Sequence, residues 1–185
     1  MKTLFINACV RPESRTLRLA QALLEKLPGE VIELKLAEEE LLPLNGERLA
    51  RRDSLLAARQ FGHGIFRFGR QFAAADTIVM AAPYWDLSFP ALVKTYIENV
   101  SAVGISFDYS PEGIPFGLCR AQHLYYVTTA GGPFQEDFGY RYIEALCRQY
   151  YGIPHCHLIM AEGLDIIGHD AEAILAQAIE HFNLL

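Results

Sequence analysis

Short apolar runs with no polar alternation recur along the chain at Thr3 to Ile6, Thr77 to Ala82, His123 to Thr128 and His157 to Met160. Such runs mark strands covered on both faces. A fifth run, Val31 to Leu36, alternates Val31, Glu33 and Lys35 against Ile32, Leu34 and Leu36, which predicts a strand nearer an edge. Between the runs the period changes to that of a helix. Arg15 to Leu27 carries Leu17, Ala20, Leu24 and Leu27 on one face, and Asp53 to Ala75 carries Leu56, Phe61, Ile65, Phe68 and Phe72. Three more helices are predicted: Pro90 to Val103, opened by its proline, Gln135 to Tyr151, after a Gly-Gly-Pro turn, and Asp170 to Phe182, capped by Asp170.

Alternating strands and helices imply a parallel sheet with helices on both faces, because parallel neighbours need crossover connections and these are right-handed. The doubly wound α/β class follows. Gly104 to Leu118, with its glycines and prolines among Phe107, Tyr109 and Phe116, predicts a short hairpin or excursion. No repeat or linker-like composition divides the chain, so residues 1–185 are expected to form one domain.

In 185 residues, 51% hydrophobic and 21% charged, there is material for a full core without staples. The four cysteines, Cys9, Cys119, Cys147 and Cys156, form no C-x-x-C pair, and they read as reduced thiols of a cytoplasmic protein. A net charge of -6 with no basic stripe argues against nucleic acid, and no apolar run is long enough for a membrane span.

Ligands of open α/β sheets bind beyond the carboxyl ends of the strands. Three loops leave those ends with usable chemistry. Asn7 to Thr16 has no glycine, so neither a dinucleotide fingerprint nor a Walker loop is present. It offers Ser14 and Thr16 at a helix N-terminus, with Arg11 and Arg15 beside them, a cradle for phosphate. The plainer role for Ser14 is helix capping. Ala82 to Pro90 concentrates Tyr84, Trp85, Leu87 and Phe89, a platform for a flat ligand or a piece of core. Thr128 to Phe134 contains Gly131-Gly132, where backbone can approach a ligand and donate to it, or simply turn. Together the loops describe a mononucleotide lying across the sheet edge.

Those residues resemble the flavodoxin-like NAD(P)H:quinone oxidoreductases, which include the FMN-dependent NADH-azoreductases. The likeness rests on Ser14-Arg15-Thr16 with Leu19-Ala20, on the block Ala82 to Lys94, on Gly104-Ile105-Ser106-Phe107, and on Thr129-Ala130-Gly131-Gly132. It implies a five-stranded sheet of order 2-1-3-4-5. It also implies FMN, rather than FAD, held by Arg11, Ser14, Arg15 and Thr16 at the phosphate. The ring would then lie on Pro83, Tyr84, Trp85, Asp86 and Leu87, with Thr129, Ala130, Gly131 and Gly132 at its pyrimidine end. Phe107, Phe134 and Glu162 would border the substrate. NAD(P)H as co-substrate, a quinone or azo acceptor, a ping-pong cycle without a side-chain nucleophile, and a homodimer complete what the resemblance implies. The chain departs from the family pattern at Asp86, where asparagine is usual, and at Leu87, where phenylalanine is usual.

Other readings account for less of the chain. A response-regulator receiver needs an acidic cluster where Asn7-Ala8-Cys9 stands. An electron-carrier flavodoxin, the non-enzyme alternative, calls for a first loop rich in hydroxyls and glycine. His155 and His157 flank Cys156 but have no further ligand nearby in sequence, so no metal is expected.

Overall fold

A computed structural model describes residues 1–182. The last three positions of the expected 1–185 domain therefore lie outside the described residues. The chain forms β1 (Lys2–Asn7), α1 (Arg15–Leu24), β2 (Glu30–Lys35), α2 (Gly46–Ala57), α3 (Arg67–Ala74), β3 (Thr77–Ala81), α4 (Ala91–Val100), β4 (Phe107–Tyr109), β5 (Pro115–Gly117), β6 (His123–Thr129), α5 (Tyr140–Leu146), β7 (His155–Ala161) and α6 (Ala171–His181). Five strands make one parallel sheet in the order β2-β1-β3-β6-β7, while β4 and β5 pair antiparallel as a separate hairpin. Discounting that hairpin, the order is the expected 2-1-3-4-5.

The apolar runs have no polar alternation because both faces of the sheet are covered. Leu4, Ile6, Ile78, Met80, Leu124 and Tyr126 pack on one side against Phe68, Phe72, Tyr96 and Ile143 from α3, α4 and α5. Phe5, Val79, Val127 and Ile159 pack on the other against Leu19 and Leu23 of α1 and Leu175 of α6. Each such side chain removed from water contributes roughly 1.5–3 kcal/mol. The two layers thus hold the strand ends in fixed relation. At the edge, β2 exposes Val31 and buries Leu34, as its alternation predicts.

Two predicted helices differ in extent. Asp53 to Ala75 is not continuous: α2 starts earlier, where the Asn45 side chain accepts from the Arg48 N–H, and ends at Ala57. Arg59 then takes a φ of 53°, and a 3₁₀ turn at Gly64–Phe66, capped by His63, leads into α3. The glycines at 62 and 64 weaken helix propagation there. The predicted Gln135 helix begins only at Tyr140 and passes into a π-helical turn, Cys147–Tyr151, that stops at Gly152 with φ 72°. The predicted Asp170 cap is present, its carboxylate accepting from the Glu172 and Ala173 N–H groups.

Candidate cofactor cleft

At the carboxyl ends of β1, β3 and β6 lies a cleft of about 340 Å³ lined by residues of all three predicted loops. A larger hollow of about 470 Å³ lies elsewhere, lined by α2, His63 and the start of α3. The smaller cleft is the candidate because unpaired backbone donors converge on it.

The first wall is built at the start of α1. Ser14 is buried, and its Oγ accepts from the Leu17 N–H at 3.2 Å, so the capping role is realised. The next intrahelical bond runs from the Arg18 N–H to the Ser14 carbonyl. Among the described residues the Arg15 and Thr16 N–H groups are therefore without a protein acceptor, at the positive end of the helix. Cap and anion cradle coexist: the hydroxyl serves one amide and leaves two. Thr16 Oγ1 lies 2.6 Å from Thr129 Oγ1, tying this wall to the third loop. Arg11 also lines the cleft, with no ion-pair partner among the described residues. Cys9, close by, is held protonated, its pKa pushed by burial up to about 11, which removes it as a nucleophile.

The second wall is the aromatic loop. Tyr84 donates its N–H to the Thr129 carbonyl at 3.2 Å, and Trp85 and Ser88 exchange two backbone bonds of 2.9 and 2.8 Å across Asp86-Leu87. Asp86 at φ 52° and Leu87 at φ 67° both sit in the left-handed region, the geometry of a tight two-residue hairpin turn. Aspartate tolerates that region and leucine does not, so strain is stored at Leu87. The Asp86 and Leu87 N–H groups have no acceptor among the described residues. Pro83, Tyr84 and Trp85 line the cleft directly, and Asp86 and Leu87, next in the chain, do not.

The third wall is the glycine turn. Leu164 N–H donates to the Ala130 carbonyl, Asp165 N–H to that of Gly131 and Gly163 N–H to that of Gly132, so the turn is backed by the segment after β7. A Cβ on Gly131 would run into the Asp165 carboxylate, whereas one on Gly132 would meet nothing. The Gly131 and Gly132 N–H groups are unpaired among the described residues. Arg15 reaches across to the Leu164 carbonyl at 3.1 Å and to Asp165 at 2.9 Å.

The predicted substrate-side residues divide. Phe134 packs edge-on to Tyr84 with centroids 4.9 Å apart, and its N–H donates to Glu162 at 2.6 Å, so both brace the junction of the second and third loops. Phe107 is buried edge-on to Tyr150 in the β4–β5 hairpin and does not line the cleft. Val10 and Glu13 of the first loop also line the cleft, as do Leu164 and Asp165 of the turn Glu162 to Asp165, whose place after the carboxyl end of the last strand suggests either a position near the substrate opening or a plain polar turn.

Unpaired backbone donors at a helix N-terminus and a glycine turn, two guanidiniums and an aromatic wall suit a flat ring carrying a phosphate. Comparisons with known proteins agree. A family model described as flavodoxin-like fold matches residues 1–184. The chain is 35% identical to FMN-dependent NADH:quinone oxidoreductase 2 of Clostridium acetobutylicum, over 97% of this chain and 94% of that protein. It is 31% identical to the FMN-dependent NADH:quinone oxidoreductase of a Clostridium perfringens strain, with the same coverage. Among solved structures, an azoreductase from Bacillus anthracis (Sterne strain) superposes with a TM-score of 0.84 at 26% identity, covering 98% of this chain and 96% of that one. With its length matched by the family model and its strand order that of the fold, the chain belongs to the flavodoxin-like family that includes the FMN-dependent NADH:quinone oxidoreductases.

Proposed function

We propose that this protein is an FMN-dependent NAD(P)H oxidoreductase that reduces quinones, and azo compounds as a second class of acceptor, with the whole chain acting as one domain. The observation that carries the reading is that Arg15, Thr16 and Gly131, whose N–H groups are unpaired among the described residues, line one cleft with Tyr84 and Trp85 at its side, the unpaired N–H groups of Asp86, Leu87 and Gly132 following next in the chain. FMN, when bound, supplies a two-electron relay between nicotinamide and acceptor. The chain's own part is binding and orientation. The start of α1, with Ser14, Thr16 and Arg11, holds the phosphate. Pro83, Tyr84 and Trp85 fix the plane of the ring, with Asp86 and Leu87 offering amides along its edge. Thr129 and Ala130 place the Gly131-Gly132 amides where negative charge on the ring's pyrimidine end is favoured. No side chain in the cleft is needed as a nucleophile. Phe134 and Glu162 hold the aromatic loop against the glycine turn, and Phe107 acts through the hairpin core.

The loops that follow β3, β6 and β7 expose apolar side chains: Leu87 is 51% exposed, Phe138 57% and Ile167 100%. A second copy of the chain covering these loops is the homodimer we propose, since exposed apolar surface is costly to leave in water. A net charge of -6 disfavours nucleic acid as a partner. Among the described residues no helix is long and apolar enough to cross a membrane, and the free thiols suit the cytoplasm. The test is anaerobic: with FMN added, NADH or NADPH bleaches the visible band and a quinone restores it. Bound flavin that neither nicotinamide reduces would mean an electron carrier instead.

A further inference from the structure

The cleft is lined by two guanidiniums, Arg11 and Arg15, and two carboxylates, Glu13 and Asp165, so its formal charge sums to zero before any ligand enters. A phosphate dianion needs more than that. Arg15 is the cation whose side chain is already engaged, bound through Nη2 to Asp165 Oδ1 at 2.9 Å and through Nη1 to the Leu164 carbonyl at 3.1 Å. Both members of this pair are open to solvent, at 37% and 67% exposure, so the pair is weak and exchangeable. The backbone of α1 presents the Arg15 and Thr16 amides in the same cleft, so an anion seated on those amides lies within reach of the Arg15 side chain. The Asp165 main chain is anchored independently of Arg15, its N–H bonded to the Gly131 carbonyl at 2.9 Å, so the exchange moves side chains and leaves the turn in place.

We infer that Asp165 is a specificity-setting competitor for Arg15, which passes from the carboxylate to the phosphate when FMN binds; this rests on the FMN reading above. Asp165 thereby tunes how far the chain prefers FMN to riboflavin, the same ring without phosphate. The carboxylate acts only on the phosphate end, so its removal changes the ratio of the two affinities rather than ring binding in general. Screening of exposed charges makes the same ratio fall with added salt.

The experiment is a titration of the full chain, freed of flavin, with FMN and with riboflavin, followed by flavin fluorescence at low and high salt. Asp165→Asn keeps the shape of the side chain and is expected to tighten FMN about threefold, the scale of one exposed ion pair, with riboflavin unchanged. Arg15→Gln is expected to weaken FMN about tenfold, the scale of a charge-assisted bond to phosphate, again with riboflavin unchanged. If Asp165→Asn weakens both flavins alike, Asp165 only props the Gly131 turn and the inference is overturned. If wild type binds FMN and riboflavin equally and neither variant alters the ratio, the exchange is overturned while the flavin reading stands. Wild type that binds neither flavin overturns both.

Discussion

Leu87 is where local chemistry and the site's demands conflict most openly. A leucine at φ 67° is held about 1–2 kcal/mol above its relaxed backbone. Because half its surface is in water, little burial is lost on replacing it. Leu87→Gly is therefore expected to melt no lower than wild type, which a thermal scan checks, and a fall of several degrees would mean that the side chain carries packing. Neighbouring glycines make an opposite pair. Gly131→Ala puts a methyl against the far end of the exposed Asp165 side chain, which must swing aside and release Arg15, so it is expected to cost no more than about 1 kcal/mol in chemical denaturation, whereas Gly132→Ala, facing open space, should be near neutral. Trp85→Ala is expected to weaken FMN binding more than Tyr150→Ala, because Trp85 lines the cleft and Tyr150 packs on Phe107 away from it. Equal flavin content in the two variants would show that the aromatic wall is misassigned.

Strands β6 and β7 carry a second consequence of register. His123 lies opposite His155, and Tyr125 opposite His157, so three imidazoles share one face at the amino ends of these strands. His123 Nδ1 comes within 3.1 Å of His157 Nε2, and the rings of His123, His155, His157 and Tyr125 stack. His157 is pushed below the usual histidine range by burial first, then by His123 and His155. Its folded pKa being the lower one, the unfolded chain takes up the proton first as the medium is acidified. Stability from this group is complete above the ordinary histidine pKa of about 6.5 and declines as pH falls below it, through the folded value. Denaturant midpoints measured between pH 8 and pH 5 should drop on the acid side, and less so in His157→Gln. An equal drop in that variant would move the cause elsewhere. The structure supplies His123, the third imidazole that linear spacing could not place, yet among the described residues no group of three such side chains is arranged to hold a metal.

At the scale of the molecule, what was legible in the sequence was what depends on short-range pattern. Unbroken apolar runs revealed doubly covered strands, the alternation at Val31 to Leu36 an edge, and the glycines and prolines of 104–118 a hairpin. The helix break near Gly62 and the late start of α5 at Tyr140 were hidden, because a helical period persists across a local interruption that only tertiary packing resolves. In the cleft, the three loops could be picked out from composition and position. The Arg15–Asp165 bridge spans 150 residues of sequence, and no local pattern encodes which cation meets which carboxylate. Phe107 shows the limit of a motif read locally: the structure places it edge-on to Tyr150 and buried, a packing that its sequence position does not encode. Light scattering on micromolar protein is expected to return the mass of a dimer, and that mass should fall to a monomer's when Leu87 and Ile167, both exposed on loops that follow strands of the sheet, are changed together to Asp.

Whether the cleft binds FMN and passes electrons from nicotinamide to an acceptor is read from the visible spectrum of the purified protein with FMN under anaerobic conditions. The flavin is expected to stay with the protein through gel filtration, to bleach on adding NADH or NADPH and to recover on adding a quinone such as menadione. A protein that emerges free of flavin, or whose bound flavin neither nicotinamide can bleach, would contradict the proposed function.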